Sequence, residues 1–156
     1  MGNEALLAQI NDCMVRTGVP GVAVGILHDG NEALIGVGET NKNHPLPVLP
    51  DTLFQIGSIS KTMTATLAMR LVEQGKLDLD TPLRHYLPAL RFQDSSATAH
   101  ATLRHLFTHT GGWVGDYFED TGRGEDALAR YVANMADLPQ LTPLGALWSY
   151  NNAGFS

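Results

Sequence analysis

The spacing of hydrophobic positions changes along the chain, and each change marks an element. Leu6, Leu7, Ile10, Cys13 and Met14 recur at helical intervals, which predicts an amphipathic helix over residues 3–16 closed by Gly18 and Pro20. The next stretch, GVAVGILHDGNEALIGVGET, is rich in branched residues and broken at Asp29-Gly30, so it reads as two strands joined by a tight hairpin turn. The prolines of NKNHPLPVLPDT make a loop. From Gly57 the pattern is helical and apolar nearly all round to about Gln74, with Gly75 placed to cap it, and a helix of that composition is expected to be buried. KLDLDTPLRHYLP is a short connector turning at Thr81-Pro82. ATLRHLFTHTGG predicts a short helix with Thr102 as its N-cap and Gly111 as its stop. EDALARYVANMADLP carries Leu128, Tyr131, Val132 and Met135 at helical spacing ahead of Pro139, and LTPLGALWSYNNAGFS is irregular.

Helix, hairpin, then several helices is an α+β order, with strands segregated from helices. A lone two-stranded hairpin is marginal and leaves an open edge, so a larger sheet is implied than these residues contain.

Composition narrows the function. A chain of 156 residues that is 44% hydrophobic and 17% charged has the make-up of one soluble globular domain with a core. The formal charge of −6, with no basic run, argues against a nucleic-acid partner. Cys13 is the single cysteine, which excludes an internal disulfide; its place beside the apolar stripe predicts a core thiol. No apolar run is long enough to span a membrane. The start, MGNEALLAQIND, lacks the basic residue and apolar run of a signal peptide, and Leu6 stands where myristoylation requires Ser or Thr. The chain as given therefore reads as cytoplasmic, or as periplasmic or secreted if a leader has been removed.

Several motifs fail on their context. IGVGET has G-x-G spacing, but Asn41 replaces the third glycine and the segment lies in a hairpin, so no dinucleotide site is expected. His105 and His109 are four apart, but Leu106 stands where a zinc-protease helix carries glutamate. Both histidines are expected to be structural, with no metal and no cofactor. Ser60 is followed by Lys61 and not by the residues of a G-x-S-x-G elbow.

FQIGSISKTMTATLAMRL raises a sharper question, because Lys61 has no acidic residue within a turn and lies three residues after Ser58. Three residues is about one helical turn, so the two side chains share a face. A helix cap at Ser58 and a lysine reaching to water would account for both. An amine at the positive end of a helix among apolar neighbours is also placed to serve as a base for a serine nucleophile, and Ser58's own backbone N–H is one of the free donors that can face an oxyanion. Tyr150-Asn151-Asn152 adds a phenol able to pass protons and an amide with both donor and acceptor.

FQIGSISKTMTATLAMRLVEQGKLDLDTPLRHYLP, ATLRHLFTHTGG and LTPLGALWSYNNAGFS occur in an order and spacing that resembles the serine β-lactamase and penicillin-binding-protein superfamily, in the branch of class C β-lactamases, DD-peptidases and related esterases. The resemblance runs from about Gly21 to the end. It implies Ser58 as the acylated nucleophile, Lys61 as its base partner, Tyr150 as proton shuttle and Asn152 as a contact to the substrate. Residues 1–156 are then the N-terminal portion of one β-lactamase-like catalytic domain, with a strand part over about 1–45 and a helical part over about 54–156. The substrate would be a small-molecule ester, β-lactam or D-amino-acid peptide. Acyl transfer to an acceptor other than water, and a non-catalytic binding or scaffold fragment of the same fold, are the alternatives. This chain has His109-Thr110-Gly111-Gly112 where the branch usually shows His-Thr-Ser-Gly, and Leu144-Gly145 where Pro-Gly is common. The third family motif, K-T-G or H-x-G on a later strand with the second oxyanion donor, does not occur before Ser156. A second polypeptide completing the domain is therefore expected, or self-association of the chain.

Overall fold

The computed structural model describes residues 3–155. They form two compact units, one up to Gln55 and one from Ile56 onward.

The first unit holds α1 (Asn3–Thr17), β1 (Gly21–His28) and β2 (Asn31–Gly38). The strands pair antiparallel from Gly21 opposite Gly38 to His28 opposite Asn31. Asp29 and Gly30 both have positive φ, +48° and +76°, as a two-residue turn matching the strand twist requires. The loop after β2 folds back on the hairpin, with the Val48 N–H donating to the Gly38 carbonyl (2.9 Å) and Val48 itself buried. Cys13 departs from its expected place, because it is exposed. Leu6, Leu7, Ile10 and Met14 form the half-buried stripe of α1, and Cys13 falls at the edge of that stripe on the solvent side.

The second unit is helical: α2 (Ile59–Glu73), α3 (Leu83–Tyr86), α4 (Ser95–His100), α5 (Leu103–Phe107) and α6 (Ala127–Asn134), with single 3-10 turns at Met135–Asp137 and Ala153–Phe155. Its core gathers Leu83, Leu90, Phe92, Ala97, Trp113 and Met135, with Phe92 stacked on Trp113 at 4.2 Å between ring centres. Three elements differ from expectation, the first being α4, where no helix is expected. The connector after Thr81 contains a helical turn, α3, which starts directly after Pro82. The helix expected to run to Gly111 ends at Phe107, since His109 takes a left-handed backbone with φ +56°.

Thr102 is the N-cap of α5, in a reciprocal arrangement. Its hydroxyl accepts from the His105 N–H, and His105 Nδ1 accepts from the Thr102 N–H at 3.2 Å. Burial pushes the His105 imidazole down, which favours the neutral ring that accepting at Nδ1 requires. Thr102→Ala should lower stability by about 1 kcal/mol, read as an earlier urea midpoint with unchanged slope. An unmoved midpoint would show that the cap carries no load.

Helix α2 also departs from expectation, because none of its residues is buried. Ile59, Met63 and Leu67 are 58%, 61% and 64% exposed. Its half-buried stripe is Lys61, Ala65, Ala68, Leu71 and Val72, so the lysine lies on the inward side of the helix. Among the described residues no helix is long and apolar enough to cross a membrane.

Candidate active site

The chain enters α2 through Gly57, whose φ of +53° favours glycine although nothing lies near its missing Cβ. The next residue, Ser58, occupies the N-cap position with φ −68° and ψ −6°, but its side chain makes no capping bond. Its hydroxyl is committed elsewhere. Ser58 Oγ accepts from Tyr150 Oη at 2.6 Å and from Lys61 Nζ at 3.3 Å. Lys61 Nζ also donates to Asn152 Oδ1 at 2.8 Å and stands 5.0 Å and 5.7 Å from the ring centres of Tyr150 and Phe155. All four residues singled out from the sequence thus meet at one point. The Lys61 ammonium, and then the Ser58 hydroxyl, hold the Tyr150 phenol below its usual range, because both favour the phenolate.

Tyr150 and Asn152 lie on an irregular segment, which is laced to the loop after α5 by a series of hydrogen bonds. The Gly145 and Ser149 N–H groups donate to the carbonyls of Thr110 (2.8 Å) and His109 (2.9 Å). The Asn151 N–H donates to His109 Nδ1 at 3.0 Å. The N–H groups of Asn152 and Ala153 share the Gly115 carbonyl at 2.9 Å and 3.2 Å. Asn151 itself is buried, with its amide donating to the Trp113 carbonyl (3.0 Å) and accepting from the Gly154 N–H (2.8 Å). It pins the backbone while its two neighbours face Ser58 and Lys61. Gly111 has a local reason to be glycine, because a Cβ there would lie 2.5 Å from the Trp113 ring. The serine common at this place in the branch would displace that indole.

Asp116 was not found by reading the sequence. Asn152 Nδ2 donates to Asp116 Oδ1 at 3.0 Å, which turns the amide oxygen toward the lysine and so fixes the orientation of Asn152. The only local signal was an acidic run, Asp116, Glu119 and Asp120, and nothing in the run points to a residue 36 positions away. The sequence predicts for His109 only a structural role; its contacts with the tyrosine segment depend on the same long-range pairing. A cavity of about 520 Å³ opens beside Lys61 and Asn152, with Thr64, Tyr117, Glu119 and Tyr131 in its wall. Tyr131 Oη donates to the Tyr117 carbonyl at 2.7 Å and the Tyr117 hydroxyl donates to Glu119, so this wall is tied together.

Comparison with known proteins identifies the family. A family model, Beta-lactamase, matches residues 5–156. Penicillin-binding protein 4 of Amycolatopsis lactamdurans is 38% identical over 88% of this chain and 36% of its own length. The crystal structure of SurE with D-Leu is 33% identical with a TM-score of 0.75, covering 97% of this chain and 33% of that one. The D-alanine carboxypeptidase AmpC from Burkholderia cenocepacia is 34% identical with a TM-score of 0.72, covering 97% of this chain and 40% of that one. The chain thus spans between a third and two fifths of the length of these relatives. Since the family model covers almost every residue, the chain belongs to the beta-lactamase family.

Proposed function

We propose that this chain carries the nucleophile and proton-transfer residues of a serine hydrolase that works through an acyl-enzyme. The observation that supports it most is Ser58 Oγ held by Tyr150 Oη at 2.6 Å and Lys61 Nζ at 3.3 Å, where a helix cap would otherwise claim the serine. With the phenol protonated, Tyr150 donates to Ser58. Loss of the phenol proton reverses that bond, so that Ser58 donates to a phenolate stabilised by Lys61. Ser58 Oγ then attacks the carbonyl carbon of the substrate, and its proton passes to the Tyr150–Lys61 pair. When the carbon–nitrogen or carbon–oxygen bond breaks, that proton goes to the leaving group. Water, deprotonated by the same pair, attacks the ester on Ser58; the pair returns that proton to Ser58 Oγ as the ester bond breaks, and the acid is released. Asn152, oriented by Asp116, offers its amide to the substrate beside the cavity.

The substrate class is an ester, a β-lactam or a D-amino-acid peptide. Relatives that were solved with D-Leu or described as a D-alanine carboxypeptidase favour the last of these. The direct test is intact mass spectrometry of the full-length protein after treatment with a fluorophosphonate or a fluorescent penicillin, followed by mapping of the adduct. One adduct on the peptide containing Ser58 is expected; no adduct, or one on another peptide, would overturn the assignment. The rate of adduct formation should rise with pH through a midpoint below the ordinary tyrosine value of about 10.

Gly115→Ala should slow that reaction at least about tenfold, in line with the usual cost of misplacing a catalytic group. Its Cβ would meet the Tyr150 carbonyl oxygen at 2.6 Å and Asn151 Cα at 2.8 Å, both backbone atoms of the tyrosine segment. A variant that reacts at the wild-type rate would show that the segment tolerates displacement.

A further inference from the structure

We propose that His109 is the positioning residue that holds Tyr150 against Ser58, and that it does so only while its ring is neutral. The proposal rests on the reading of Tyr150 as the group that carries the Ser58 proton.

Three contacts from this one residue converge on the tyrosine. The His109 carbonyl accepts from the Ser149 N–H at 2.9 Å. Its Nδ1 accepts from the Asn151 N–H at 3.0 Å. Its ring lies against the phenol ring, with centres 4.7 Å apart and planes inclined by 30°. The residue before the tyrosine, the residue after it and the tyrosine ring are all fixed by the same residue. Phe155 lies against the imidazole at 5.3 Å, and Trp148 meets it edge-on at 6.1 Å. The aromatic packing therefore fixes the orientation in which Nδ1 faces the Asn151 amide. His109 makes these contacts from a left-handed backbone, φ +56°, a conformation uncommon outside glycine that persists where the surroundings over-determine it.

The dependence on charge follows from the donor pattern. Because Nδ1 accepts, the single proton of the neutral ring is on Nε2. A second proton would occupy Nδ1 and set N–H against the N–H of Asn151. The titratable groups that face the ring are Lys61 on α2 and the Tyr150 phenol. Burial, and then the positive charge of Lys61, push the imidazole below its ordinary range, so the clamp stays neutral through physiological pH. Acid strong enough to protonate it removes the Asn151 bond and adds a second positive charge beside Lys61. The tyrosine segment then loosens from Ser58.

The test is an NMR pH titration of the full-length protein labelled with carbon-13 at tyrosine Cζ and histidine Cε1, run from about pH 8 down to about pH 4.5, a range that spans ordinary and depressed imidazole values. The Tyr150 resonance should step at the same midpoint as the His109 ring. His109→Asn should abolish that step, because asparagine tolerates the left-handed backbone and its Oδ1 can accept from the Asn151 N–H without titrating. His109→Phe keeps a ring but has no acceptor; it should capture a fluorophosphonate at Ser58 at least tenfold more slowly at neutral pH while remaining folded by circular dichroism. A Tyr150 resonance indifferent to the His109 titration, or a step that survives in His109→Asn, would overturn the proposal. If the coupled step is present but wild-type Ser58 captures no fluorophosphonate, the clamp stands and the catalytic reading of Tyr150 falls.

Discussion

Ser58→Ala is expected to abolish covalent capture by a fluorophosphonate or a fluorescent penicillin while leaving the melting temperature within about 2 °C of wild type. Loss of the adduct should be complete, because no other atom at that position can form the acyl bond. Stability should hardly move. Ser58 sits at the start of α2 without capping it, and its side chain is exposed, so alanine removes neither a helix cap nor packing. Two readouts are needed from the same sample: the mass of the intact protein after treatment and its thermal unfolding curve. An adduct that persists in the variant would move the nucleophile elsewhere, with Ser60 the first residue to examine because it lines the neighbouring cavity.

Lys61→Ala should slow the same reaction by about 10²- to 10⁴-fold, the usual contribution of a positioned proton-transfer group. Two effects combine. The variant removes the donor that reaches Ser58 and Asn152 together, and it removes the cation that most lowers the Tyr150 phenol. The phenol should then titrate closer to an ordinary tyrosine, and the midpoint of the pH–rate curve should move up with it. Raising the pH should recover only the part of the rate that depends on the phenolate. A Lys61→Ala protein with the wild-type rate and midpoint would remove the lysine from the mechanism.

Features fixed by neighbouring residues were legible in the sequence. Asp29-Gly30 sets the hairpin by its own backbone preference. Thr102 starts α5 through a bond to a residue three positions on, and the one-turn spacing of Ser58 and Lys61 is enough to put them on one face. Asp94 starts α4 in the same local way, by accepting from the Ala97 N–H at 2.6 Å, but that helix is too short to show a hydrophobic period. Features fixed by distant partners were not legible. The all-round apolar pattern of α2 hides that its inward stripe is Lys61, Ala65, Ala68, Leu71 and Val72, while Ile59, Met63 and Leu67 face out. The stripe of α1 left Cys13 at an edge that spacing alone assigned to the core. Asp116 and His109 act on Asn152 and Asn151 from 36 and 42 residues away, and no periodicity encodes such a pairing.

The same separations order the assembly of the proposed site during folding. Ser58 and Lys61 are neighbours as soon as the first turn of α2 forms, but Ser58 and Tyr150 lie 92 residues apart and meet through closure of a long loop. The bonds between the 109–115 loop and the 145–153 segment close a loop less than half as long. By contact order they come earlier, and they deliver the tyrosine already mounted on its support. A partly folded chain therefore displays a serine and an amine with no phenol to complete them. Under the mechanism proposed above, it stays unreactive toward the esters and amides around it until Tyr150 reaches Ser58.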